Sequence, residues 1–341
     1  MQNYSVVLAI SATLSKFCFS IHSVPSGISN TIPKHEQLFQ AKMTEVIKTV
    51  ITQYHEIIDN QSDPRVKNWF LMSSPLPTMA ICLLYLYFAT IAGPKFMKTR
   101  KPYNLKSILI VYNLFQVIFN SYLFYEGSAV GWLNHYNFRC QPMDYSEKPL
   151  TIRMVKAVWW YYILKHIDLL DTIFFVLRKK NNQITSLHLI HHSLMAFSVW
   201  FGVKFAPTGH GTFFGFLNTF VHVLMYSYYL IAALGPRFKN FLWWKRYLTR
   251  IQITQFVLAI IHSSQLFFTD CEYPKVFLWV IIIHATLLLS LFYNFYETTY
   301  LKNNAKATVD QWSKRNLPFC FLPQTHLVDA EMREEHKLKK T

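Results

Sequence analysis

The sequence predicts an all-α integral membrane protein with seven transmembrane helices, and three observations carry that prediction. Of its 341 residues, 52% are hydrophobic and 17% aromatic while only 15% are charged, where a soluble domain carries about 25% charged residues. Long apolar runs fill most of the chain after residue 72. Lys and Arg gather in alternate connections between those runs, as they do in a polytopic membrane protein. Neither a 20–50-residue internal repeat nor a low-complexity tract interrupts the pattern.

In chain order, residues 1–67 read as a variable or disordered extension. They are mostly polar apart from VVLAISATL (6–14), which has signal-sequence length but neither a basic n-region nor an A-x-A-like cleavage site. Asn3-Tyr4-Ser5 and Asn60-Gln61-Ser62 fit the N-glycosylation sequon. Runs long enough to cross a bilayer then fall at 75–94, 107–125, 155–177, 184–205, 212–234, 247–268 and 276–298. They form a seven-helix domain over 68–300, and residues 301–341 make a basic tail ending Lys337-Leu338-Lys339-Lys340-Thr341. Lysines third and fifth from the end resemble the dilysine signal that returns membrane proteins to the endoplasmic reticulum; an ordinary basic tail is the alternative.

The net charge of +16 raises the question of nucleic acid, but the charge distribution argues against it. Counted with the adjoining helical turns, the segments after spans one, three, five and seven hold 21 of the 34 Lys and Arg residues, and the loops after spans two, four and six hold six. That asymmetry places the odd connections and the C-terminus in the cytosol and the N-terminus in the lumen. Aromatic-rich basic stretches such as FLWWKRY (241–247) then anchor the interface, and an anionic cytosolic substrate meets positive charge at the mouth of the bundle. The five cysteines lack metal-binding spacing. Cys140 and Cys271 fall in two lumenal loops, where an oxidising compartment makes them candidates for a disulfide.

Polar residues inside the spans follow helical spacing. Span three carries KHIDLLDT (165–172), with Lys165, Asp168 and Asp171 at three-residue steps. Span four opens with HLIHH (188–192), so His188, His191 and His192 share one helix face. Span five has NTFVHVLMYSYY (218–229), placing Asn218, His222 and Tyr226 on one face, and span six begins TRIQITQ (249–255), with Thr249, Gln252 and Gln255 three apart. At about 1.5 Å per residue from the expected cytosolic ends, Asp171, His191, Gln252 and His222 lie roughly 10, 12, 10 and 18 Å deep. Four antiparallel spans thus contribute to one polar layer in the cytosolic half of the membrane.

Structural readings stand beside functional ones. Lys165 and Asp168 form an i,i+3 ion pair that satisfies two buried charges, and the glutamines can act as interhelical hydrogen-bond glue. Ionisable residues in lipid are costly and mark function by default. Two chemistries suit the histidines. One is a metal site: membrane di-iron desaturases and hydroxylases use H-x-x-H-H, but need further histidine boxes that this chain lacks, and a single zinc on His188, His192 and His222 leaves the Lys, Asp, Asn and Gln residues idle. The other uses imidazole itself as nucleophile or base. Histidine attacking an acyl thioester gives an acyl-imidazole, with carboxylates orienting the ring and amides stabilising oxyanions. A seven-span receptor or transporter is a third reading, and gives the histidine face no natural role.

KHIDLLDT, HLIHH, NTFVHVLMYSYY and TRIQITQ together, in this order, resemble the ELO family of very-long-chain fatty acid elongases, the membrane 3-ketoacyl-CoA synthases. The resemblance covers roughly 68–300, starting at NWFLMSSP. One departure is Asp168, where the family pattern generally has glutamate, and the long N-terminal extension has no counterpart. The resemblance implies a multi-pass protein of the endoplasmic reticulum membrane in which six of seven helices enclose an acyl tunnel closed on the lumenal side. It implies an acyltransferase that condenses a long-chain acyl-CoA with malonyl-CoA to 3-ketoacyl-CoA, CO2 and CoA, with no bound cofactor and no metal. On the matching positions it implies His191 as nucleophile and His222 and Asn218 as the malonyl-CoA pair. His188, His192, Asp171 and Gln252 would then orient or polarise the reacting groups, with Lys165, Asp168, Tyr226 and Gln255 positioning substrate. Arg178, Lys179, Lys180, Lys245 and Arg246 are candidates for the CoA phosphates. The implied partners are membrane lipid and the reductases and dehydratase of the elongation cycle, with homo-oligomerisation left open.

Overall fold

The computed structural model describes residues 34–302. The chain divides into two units, Met1–Ile57 and Ile58–Thr341. Among the described residues the first unit contributes one helix, α1 (Lys34–His55). It falls within the segment read from sequence as a variable or disordered extension. Phe39, Met43, Val46 and Val50 recur at helical spacing and neither Gly nor Pro falls between 34 and 55, so a helix is the natural local state. The 6–14 apolar run, the Asn3 sequon, Cys18, Cys320 and the dilysine-like end lie outside the described residues.

The second unit begins ten residues before the expected start at 68. Asp63 accepts two hydrogen bonds from Arg65 Nε, and Arg65 Nη1 and Nη2 donate to the carbonyls of Ser146 and Asp144 at 2.8 and 2.9 Å. The Asp63 amide donates to Lys204 O at 2.9 Å and the Trp200 indole to Leu71 O at 2.8 Å. Residues 58–72 are therefore tied to the far end of the bundle by hydrogen bonds that hydropathy does not register.

The helices that follow are α2 (Leu76–Met97), α3 (Lys106–Trp132), α4 (Pro149–Ile167), α5 (Leu170–Leu177), α6 (Ser186–Phe205), α7 (Thr212–Leu234), α8 (Lys245–Ser264) and α9 (Lys275–Leu301). No strand occurs among the described residues. Helices α2, α3, α7 and α9 are long and apolar enough to cross a membrane. In the other stretches charge or breakage lowers the apolarity: Arg153, Lys156 and Lys165 in α4, and Lys245, Arg246 and Arg250 in α8. The stretch 155–177, expected as one span, is two helices. At Asp168 and Leu169 the ladder tightens to three-residue closure, Leu169 N to His166 O and Asp171 N to Asp168 O. The break turns the Asp168 side chain into the interior and leaves Ile167 O to accept from Tyr112 OH at 3.4 Å.

In the second unit, α3 packs on α7, α7 on α8, α8 on α9, α9 on α6, α6 on α4 and α4 on α3, a closed cyclic order. Helix α2 packs outside it, against α6. Apolar clusters seal successive contacts: Met195, Phe256, Ala259, Ala285 and Leu288 where α6, α8 and α9 meet, and Leu123, Ala157, Tyr161 and Leu164 between α3 and α4.

One end of the ring is closed by loops. Cys140 and Cys271 form a disulfide. His210 N donates to Gln141 O at 2.9 Å, and Gly209 adopts φ +80°, where a Cβ would stand 2.8 Å from Pro142 O, so only glycine fits. Burial alone would raise the pKa of Asp144. Hydrogen bonds from Thr151 and Ser146 outweigh it and hold the carboxyl below its usual value.

Candidate active site

At the opposite end of the ring, α3, α4, α5 and α7 direct polar side chains inward. Lys165, on the last turn of α4, donates to Asp168 Oδ2 at 2.8 Å and to Asn218 Oδ1 at 3.1 Å, and lies 3.4 Å from His222 Nδ1. Asp168 Oδ1 accepts from Gln116 Nε2 at 2.8 Å and Tyr226 OH at 3.2 Å. The tyrosine reaches Asp171 Oδ2 at 2.7 Å as well. Tyr161 OH completes the Asn218 shell at 2.8 Å. Lys165 and Asp168 are 3% and 2% exposed, so the ammonium and carboxylate have exchanged water for each other and for neutral donors and acceptors. That exchange keeps a buried pair affordable. The short arm of Asp168, where the resemblance leads one to expect glutamate, reaches four partners because the helix break brings its Cα inward.

The histidines of α6 stand beside this network. Thr185 caps α6 by accepting from His188 N at 3.2 Å, which places the HLIHH face on the first turns. Thr172 Oγ1 and His188 Nε2 are 2.7 Å apart, and the same hydroxyl meets Tyr85 OH at 2.7 Å. The His188 and His192 ring centroids are 4.2 Å apart and those of His191 and His192 5.2 Å. Neighbouring residues of α5 join the two groups, since Thr172 meets His188 and Asp171 accepts from Tyr226. Among the described residues no group of three or more His, Cys, Asp or Glu is arranged to hold a metal ion.

Other expected residues sit at the margin. Gln252 donates only weakly, to Met225 Sδ at 3.6 Å, and Gln255 is buried with its Oε1 unpartnered. Neither joins the hydrogen-bonded network. Arg178, Lys179 and Lys180 follow α5, and the Lys179 ammonium lies 3.5 Å from Lys98 O. Lys245 and Arg246 open α8, and Arg246 and Arg250 both donate to Tyr296 OH, at 3.0 and 2.8 Å. Gln116, Asn120, Tyr112, Tyr161 and Thr172 are site residues that the sequence reading missed. Tyr112, Gln116 and Asn120 are spaced by four in an apolar run, the same signal that singles out Asn218, His222 and Tyr226.

An apolar cavity adjoins the polar layer and extends toward the disulfide end. Tyr161, Thr219 and Met195 line it next to the site, and Trp132, Gly211 and Tyr273 line it at the loop end.

These features define a polytopic helical membrane protein with a polar, imidazole-rich layer beside an apolar cavity. A family model described as GNS1/SUR4 family, ELO, matches residues 70–308. A very long chain fatty acid elongase of Aedes aegypti is 55% identical over 256 residues, 75% of this chain and 72% of its own length. Very long chain fatty acid elongase 7 of Drosophila melanogaster is 53% identical over 74% of this chain and 77% of its own. Very long chain fatty acid elongase 1 of Homo sapiens is 43% identical over 75% and 92%. The chain belongs to the ELO (GNS1/SUR4) family.

Proposed function

We propose that this protein is the condensing enzyme of fatty acid elongation, joining a long-chain acyl-CoA to malonyl-CoA to give 3-ketoacyl-CoA, CO2 and CoA. The observation that carries the reading is the junction of the polar layer with the apolar cavity. His191 and the cavity-lining Met195 lie one turn apart on the same face of α6, so an acyl carbonyl at the imidazole leaves its chain directed into the cavity. The cavity is then the acyl tunnel, enclosed by the six-helix ring and closed at the disulfide end, and the ring plus α2 makes seven membrane-spanning elements.

In the first half-reaction a neutral His191 nitrogen attacks the thioester carbonyl, the carbon–sulfur bond breaks, and CoA leaves as the thiol after taking the N–H proton that the acylated ring gives up. In the second, malonyl-CoA loses CO2, and the carbon freed by that bond attacks the acyl-imidazole carbonyl. The carbon–nitrogen bond breaks, 3-ketoacyl-CoA forms, and the departing imidazole takes up a proton from solvent, which returns His191 to its starting state. Asn218 and His222, tied to Lys165, position malonyl-CoA and stabilise the developing enolate oxygen. Thr172 orients His188 beside His192, while Asp168, Asp171 and Tyr226 hold Lys165 and α7 in register. Arg178, Lys179, Lys180, Lys245 and Arg246 meet the CoA phosphates. No step needs a bound cofactor or metal. The protein resides in the endoplasmic reticulum membrane with its N-terminus lumenal and its C-terminus cytosolic, and passes its product to the reductases and dehydratase of the cycle.

Purified protein incubated with acyl-CoA alone tests this by intact and peptide mass spectrometry. The expected result is an acyl adduct on His191 that disappears when malonyl-CoA is added and 3-ketoacyl-CoA appears. Product without adduct would overturn the covalent histidine, and folded protein giving neither would overturn the condensing reaction.

A further inference from the structure

One seam of α6 runs from the reactive end toward the disulfide end. His191, Met195, Ser198 and Gly202 recur at steps of three and four residues and so share a face, with Ala206 just past the helix end. The last four line the apolar cavity. Side chains shrink along the seam, and at Gly202 there is none: a Cβ built there would meet nothing within 4 Å. The other glycines lining the cavity differ. A Cβ on Gly211 would collide with the Tyr273 hydroxyl, one on Gly127 would press on Phe216 at 3.2 Å, and one on Gly215 would touch the Tyr161 ring at 3.7 Å. Close packing accounts for Gly211 and Gly127, Gly215 stands at ordinary contact distance from Tyr161, and of the four only Gly202 faces open space. Glycine is also a poorer choice than alanine inside a helix, so the helix itself gives a reason against it.

We propose that Gly202 is a specificity-determining position, where the missing side chain keeps the cavity open to acyl chains long enough to pass it. This rests on the reading of the cavity as an acyl tunnel. His191 and Gly202 are separated by roughly 16 Å of helix at about 1.5 Å per residue. An extended chain advances about 1.25 Å per carbon, from single bonds near 1.5 Å at tetrahedral angles. A chain held at His191 therefore reaches the level of Gly202 near carbon ~13. Shorter chains end before it, and palmitoyl and longer chains pass alongside.

The test uses the full chain as wild type, Gly202→Ala and Gly202→Leu, with malonyl-CoA and acyl-CoAs from decanoyl to docosanoyl, reading 3-ketoacyl-CoA. Gly202→Leu is expected to keep its rates on decanoyl and dodecanoyl substrates and to lose roughly tenfold or more on stearoyl and longer ones, the effect of overfilling an apolar site. Gly202→Ala falls between the two and melts no lower than wild type, so it carries the test if the leucine variant does not fold. Superimposable length profiles, an equal fall at all lengths, or a wild-type profile that already ends at dodecanoyl would overturn the proposal. Native mass spectrometry of retained fatty acids, run on the same proteins, separates the two readings. If the wild type condenses no acyl-CoA but the leucine variant retains only shorter chains, the reaction assignment fails and the Gly202 inference stands. Identical retained-length distributions overturn the inference itself.

Discussion

The two ends of the ring both bury charged groups, and they satisfy them by different means. At the disulfide end, Arg65 and Asp63 pair and are finished by backbone: Arg65 donates to the carbonyls of Ser146 and Asp144, and Asp144 accepts from the Ser146 amide at 2.8 Å. At the histidine end the partners are side chains from helices distant in sequence, with Gln116, Lys165, Asp168, Asn218 and Tyr226 bonded to one another. Among the described residues the imidazoles of His191 and His192 make ring contacts and no side-chain hydrogen bond. Backbone partners fasten loops and leave nothing free to react. A side-chain network fixes Lys165 and Asn218 and leaves the imidazoles of His191 and His192 without side-chain hydrogen bonds, as the proposed reaction requires.

The contrast can be broken from either side. The largest expected effect is at His191: His191→Ala should lower condensation by roughly 10³-fold or more while the melting temperature in detergent moves by the equivalent of about 1 kcal/mol or less. A large loss of stability would instead make His191 a packing residue. Next comes Lys165→Ala, which strands the 2%-exposed Asp168 and should cost about 3–5 kcal/mol. Lys165→Met combined with Asp168→Leu should recover most of that loss without activity, and a double variant no more stable than the single one would contradict the pairing argument.

At the other end, Cys271→Ser should cost about 2–4 kcal/mol and leave the acyl-length profile unchanged, since Cys271 lines no part of the cavity. A shifted profile would show that the loops shape the tunnel. The smallest effect concerns pH. The pKa of Asp144 is depressed in the folded protein because hydrogen bonds from Thr151 and Ser146 exceed the burial cost, so its contribution is present above the unfolded value of about 3.9. It is lost as pH falls through the lower folded value. The melting-temperature difference between wild type and Asp144→Asn should therefore shrink between about pH 5 and pH 3; a constant difference would assign the effect to packing.

Much of the site was legible as local spacing. Lys165 and Asp168 sit three apart, the HLIHH histidines share a face, and Asn218, His222 and Tyr226 step by four; each pattern depends only on the 3.6-residue turn. Gln116 and Asn120 carry the same signal and were passed over because their run is otherwise the ordinary apolar span. The α4–α5 break was not legible, because nothing local to Asp168 forbids helix. Its carboxylate turns inward only because Lys165, Gln116 and Tyr226 wait there. The start at Ile58 was hidden for a similar reason, since the bonds from Arg65 run to loops about eighty residues away.

The sequence by itself determined that the chain is a polytopic helical membrane protein, which helices carry polar faces, and which family it belongs to, because hydropathy, helical period and motif order are properties of the chain. Tertiary structure alone decided the closed order of six helices, the pairing of Thr172 with His188 and of Gln116 with Asp168, and the open space beside Gly202. Those depend on which faces meet across the bundle. A helix of given sequence presents the same side chains whatever its neighbours, and packing chooses the neighbours.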